Sequence, residues 1–196
     1  MVIPINDSMT RAAALFGALL LFLCGFGWYL SMGLWNFPTR EGFQHLAEDD
    51  DFQAVYAMEP GPYTLTFDFT DPKRLEGETL YRSSLGSILV TRVDNITDTS
   101  CRIWFRADGS LGRSGGCLVS ACLPQLEKNS GSTLLSALLA EPQEVYTAYF
   151  SNYDGNLREH GNHFAVTIFR AQTADDAPTE VSLVFNELHR VTFEKA

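Results

Sequence analysis

The stretch YTLTFDFT, residues 63–70, alternates without a break. Tyr63, Leu65, Phe67 and Phe69 fall on one side, and Thr64, Thr66, Asp68 and Thr70 on the other. Strict period two with aromatic and β-branched residues is the pattern of a strand with one buried face. Asp71-Pro72 is expected to end it as a turn, and Glu59-Pro60-Gly61-Pro62 to precede it as a rigid turn.

Further strands are expected at Ser87–Val93, Cys101–Arg106, Val145–Ser151, His163–Arg170, Glu180–Asn186 and His189–Glu194, with weaker ones near Thr79–Arg82 and Cys117–Val119. Turn residues separate them at Ala107-Asp108-Gly109-Ser110, at Tyr153-Asp154-Gly155-Asn156 and between Ala174 and Pro178. Seven to nine short strands without alternating helices predict a mainly β fold, an antiparallel β-sandwich or partly open barrel. Ser132–Ala140, STLLSALLA, is expected as one short helix plugging an end of it, because Ser and Thr stand at its start and Pro142 beyond its end.

At the other end of the chain, Ala12–Leu34 runs 23 residues without a charge. At about 1.5 Å per residue this is enough for a hydrocarbon core of roughly 30 Å. The expected organisation is a cytoplasmic N-terminus over 1–11, a transmembrane helix over 12–36, a solvated linker over 37–58 and an exported β domain over 59–196. Arg11 precedes the run, an acidic stretch around Glu48–Asp51 follows it, and Trp28, Tyr29 and Trp35 gather at its distal end. Basic flanks stay inside and aromatic rings favour the headgroup layer, so the N-terminus is expected in the cytoplasm. The alternative is a signal peptide cleaved before Leu34. Eleven Arg against three Lys is associated with GC-rich bacterial genomes, and the expected location is a bacterial inner membrane with the β domain in the periplasm.

Composition narrows the partners. With 14 Lys and Arg against 24 Asp and Glu the net charge is -10, and nucleic acid is excluded as the main partner because phosphate binding needs clustered cations. Hydrophobic residues at 45% supply a packed core and argue against global disorder.

Cys101, Cys117 and Cys122 fall in the exported part, where disulfides persist. A turn centred on Asp108-Gly109 would bring Cys101 across from Cys117, given one bulged residue at Gly115-Gly116, so a Cys101–Cys117 hairpin disulfide is expected, with Cys117–Cys122 as the alternative. On the Cys101–Arg106 strand, Arg102, Trp104 and Arg106 share one face. A tryptophan between two guanidinium groups suits a cation–π stack on an interaction surface.

Two constellations carry the rival reading, a membrane-anchored hydrolase. Gly112-Arg113-Ser114-Gly115-Gly116 satisfies G-x-S-x-G. Over about seven residues it also resembles the nucleophile segment of chymotrypsin-like serine proteases, with Arg113 in place of that family's aspartate. The resemblance implies Ser114 as nucleophile, but the only histidine before it is His45. His160 and His163 are a candidate metal pair that lacks a third and fourth ligand. His189, in register with Val191 and Phe193, is expected as a hydrogen-bonded core histidine. The residues suited to chemistry are scattered. The expected role is therefore a non-catalytic binding, assembly or accessory subunit of a membrane protein complex, with no cofactor, no metal and no obvious small-molecule substrate.

Overall fold

The computed structural model describes residues 19–27, 42–112, 114–125, 132–154, 157–158, 160–171 and 178–196. Strands make up 64% of them, in an antiparallel sheet curled into a half-barrel, with two short helices. These are α1 over 19–27 and α2 over Gly42–Glu48. The strands are β1 Phe52–Asp68, β2 Thr79–Ser83, β3 Gly86–Asp94, β4 Ser100–Gly112, β5 Gly115–Ser120, β6 Cys122–Pro124, β7 Thr133–Leu135, β8 Leu138–Glu141, β9 Tyr146–Tyr153, β10 Gly161–Arg170 and β11 Glu180–Lys195. The main order is β1-β11-β5-β4-β10-β9, with β3 on β4, β2 on β3 and β8 on β11, while β6 and β7 form a separate pair.

Two long strands curl the sheet by changing partners along their length. The first part of β4 lies between β3 and β10, and Ser110–Gly112 then pairs with β5. Along one edge of β11, Ser182–Phe185 pairs with β8 and His189–Glu194 with β5. The concave side holds the core. Phe105 and Phe164 stack at 4.9 Å, and Phe185 meets Phe105 edge-on at 5.8 Å. Leu65, Phe67 and Phe69 are buried as their alternation predicts.

Several local expectations give way to longer-range pairing. Pro60-Gly61-Pro62 does not end a strand. It makes an irregularity between Pro60 and Tyr63 inside β1, which pairs with β11 on both sides of it. Residues expected as linker belong to the fold, because β1 begins at Phe52 and α2 buries Phe43 and Leu46. Ala107–Ser110 lies within β4 and is no turn. Gly109 is there because the Phe43 ring lies over it, where any Cβ would collide. The plug helix expected at Ser132–Ala140 is β7 and β8. Leu138 and Leu139 pair with β11 through the β8 ladder and Leu134 and Leu135 with β6, and these two short strands satisfy the backbone that a short helix would leave half unpaired.

No described helix is long and apolar enough to cross a membrane. Of the expected span only α1 is described, with all its residues exposed, Leu21 and Phe22 most of all at 77% and 68%. The rest of 12–36, like 1–11, lies outside the described residues.

Candidate functional site: the outer face of the sheet around Trp104

Along β4, Cys101, Ile103, Phe105 and Ala107 are buried in the core, so Arg102, Trp104 and Arg106 occupy the convex face, as their alternation predicts. Their neighbours are set by register. An irregularity between Val90 and Arg92 on β3 puts Arg92 opposite Trp104 and Asp94 opposite Arg102. On the other side β10 places Ala165 beside Trp104 and Thr167 beside Arg102, and β9 places Tyr149 beside Thr167.

The expected cation–π stack is there, but its cation is Arg92, whose guanidinium lies 5.0 Å from the Trp104 ring centroid. Asp94 organises the pair. Its Oδ2 accepts from Trp104 Nε1 at 2.9 Å and from Arg92 Nη2 at 2.8 Å. Arg106 instead donates through Nε to Asp108 Oδ2 at 2.8 Å. Arg92 and Asp94 were missed by sequence reasoning although their strand was expected, because no local pattern states which residue of one strand faces which of another.

One row of this face is incompletely paired. Asp94 Oδ1, Arg102 Nε and Thr167 Oγ1 are each shielded from solvent without a hydrogen-bond partner among the described residues, and the three residues are consecutive cross-strand neighbours on β3, β4 and β10. Each such group costs about 1–3 kcal/mol. Next to the row stand Tyr149 and Phe169, stacked at 5.7 Å and exposed at 48% and 42%. Aromatic and arginine side chains are what protein interfaces concentrate.

The other singled-out residues are not drawn together into a catalytic arrangement. Ser114 is exposed at the tip between Gly112 and Gly115, with no histidine hydrogen-bonded to it among the described residues, and His45 on α2 sits 3.5 Å from Asp49. Gly115 serves the backbone: its φ is +143°, and a Cβ there would strike the Phe193 carbonyl. His160 and His163 come close to Arg106, Asp108 and Arg158. Among the described residues no group of three His, Cys, Asp or Glu is placed to hold a metal ion. His189, expected to be hydrogen-bonded, has its Nε2 buried without a partner among the described residues.

The expected disulfide is also absent, and Cys101, Cys117 and Cys122 are buried free thiols. Cys117 pairs with Ser110 on β4, nine positions from Cys101, which is about 30 Å at the rise of a strand. A disulfide needs Cα atoms within about 7 Å. Cys101 faces Ile168, and Cys122 lies opposite Leu135. Burial pushes the Cys101 thiol up to about 12 and raises that of Cys122. It also raises Cys117, against the pull of the Thr192 hydroxyl at 3.8 Å and of Arg190. Thiolates are the reactive form, so in native protein at pH 8 these three cysteines are expected to resist a maleimide reagent. All four cysteines of the chain should react in denaturant without any reductant; two missing thiols in that mass spectrum would restore a disulfide.

Comparison of the chain with protein-family models, with curated proteins and with solved structures found no match to any of them.

Proposed function

We propose that the protein is a single-pass, membrane-anchored β domain of a bacterial inner membrane, with its N-terminus in the cytoplasm and its β domain in the periplasm, acting as a non-catalytic binding or assembly subunit of an envelope complex. The observation that carries the binding role is the exposed, stacked pair Tyr149 and Phe169 on the same face as the Trp104–Arg92 cation–π pair. A docked protein surface would cover the exposed rings. The tether is supported by the uncharged run Ala12–Leu34 and by exposed leucine and phenylalanine on α1, a distribution suited to lipid on every side. Anchoring confines the domain to a layer next to the membrane and raises its effective concentration towards other membrane proteins.

The test is extraction of the full chain from its native membranes in mild detergent, followed by size-exclusion chromatography and mass spectrometry. Wild type is expected in a fraction heavier than its own 21.8 kDa plus detergent, together with at least one other membrane protein. Trp104→Ala should weaken that association by about 2 kcal/mol or more, roughly 30-fold, as for a central interface aromatic. A wild-type chain that migrates alone, or a Trp104→Ala variant that keeps its partner, overturns the reading. For the tether, a reporter at the C-terminus that is active only after export should be active, and one active only in the cytosol should be silent.

A further inference from the structure

A second cluster of side chains lies at the Arg106 end of this face, where His160, just before β10, meets Gly109 on β4. His163 on β10 stands opposite Arg106 on β4. Two ion pairs flank it: Arg106 Nε to Asp108 Oδ2 at 2.8 Å from β4, and Arg158 Nε to Asp154 Oδ2 at 2.7 Å from the connection between β9 and β10. The Gly109 amide donates to the His160 carbonyl at 2.9 Å and holds His160 against β4. Between them is a cavity of about 250 Å³ lined by Arg106, Asp108, Arg158, His160 and His163.

We propose that this cavity binds a small oxyanion, a carboxylate or phosphate group, held between Arg106 and Arg158 over the His163 imidazole. Each arginine reaches its aspartate through Nε, so its terminal amino groups remain as donors for a further acceptor, and guanidinium matches the geometry of both anions. The volume is below that of a drug-sized pocket and suits a small anion. In a chain of net charge -10, the described lining of this cavity carries two arginines against one aspartate, Asp108. Burial first, then Arg158 and Arg106, depress the His163 pKa against the opposing pull of Asp154 and Asp108, which favours the neutral ring. A bound anion stabilises its protonated form. By linkage, binding then raises the His163 pKa and tightens as pH falls through it.

The experiment is titration of the full chain in detergent micelles with inorganic phosphate and, separately, with acetate, while the His163 ring is followed by NMR as a function of pH. The expected result is a saturable shift of that ring with a raised pKa for at least one of the two probes, and the probe that acts identifies the class. Arg106→Gln and Arg158→Gln should each weaken binding roughly tenfold or more, the scale of one lost hydrogen bond to a charged group. The Arg158 side chain is 61% exposed, so Arg158→Gln tests the site with the fold intact. A ring that responds to neither anion, or a response unchanged in both variants, overturns the proposal.

Discussion

Phe164→Ala is expected to lower the stability of the domain by about 4 kcal/mol, the middle of the range for a buried aromatic replaced by alanine. The ring has no exposed surface. It stacks on Phe105 at 4.9 Å, meets Phe150 edge-on at 6.0 Å and Phe185 edge-on at 6.4 Å. Its removal therefore leaves a cavity at the point where β4, β9, β10 and β11 converge, and it also removes the geometric part of three ring contacts, each worth about 0.5–1.5 kcal/mol. A domain stable by about 5–15 kcal/mol would lose roughly a quarter or more of that margin. In denaturant unfolding followed by tryptophan fluorescence, the midpoint should fall while the slope stays constant. A loss below about 1 kcal/mol would place the core elsewhere.

The second large effect concerns α2. A solvated linker over 37–58 would make Phe43→Ala neutral, whereas the fold puts the cost at about 3 kcal/mol or more. Phe43 is fully buried, 6.0 Å from the Phe193 ring, and lies over Gly109 and Gly116. Gly116→Ala offers an internal control. Its new Cβ would stand 3.0 Å from Phe43 Cε1, 3.0 Å from Leu46 Cδ1 and 2.9 Å from Leu111 Cδ2, all side-chain atoms. Overpacking of this kind costs about 1–3 kcal/mol. In the Phe43→Ala background part of the collision is gone, so the double variant should be more stable than the sum of the single effects by about 1 kcal/mol. Strict additivity would mean that α2 does not pack against β5.

These two sites differ in how far they could be read from the chain. The Phe164 position follows from alternation, since His163–Arg170 was expected as a strand and Phe164, Val166 and Ile168 are its buried side. Phe43 could not be read in this way. One buried phenylalanine and one buried leucine in a seven-residue helix beside an acidic run give too short a pattern, and the glycines that admit the ring are more than sixty residues away in sequence.

The candidate site divides along the same line. Arg102, Trp104 and Arg106 were legible as one face of a strand because alternation is a property of a residue and its immediate neighbours. Arg92, Asp94 and Thr167 were not legible as their companions, because register belongs to pairs of strands and one irregularity on β3 decides it. The Cys101–Cys117 bridge failed for the same reason. It rested on a turn at Asp108-Gly109, and β4 runs through that turn to pair with β5 near Gly112.

From the amino-acid order alone came the β class, the inward side of the strands at 63–70 and 101–106 and the uncharged N-terminal run, all consequences of which side chains avoid water within a few residues of one another. The three-dimensional fold alone decided that Pro60-Gly61-Pro62 interrupts a strand without ending it, that STLLSALLA forms two short strands, and that three shielded polar groups line up beside Trp104. Each of these depends on a partner strand supplied from far along the chain, and the ladder it offers outweighs local preferences worth about 1 kcal/mol per residue or less.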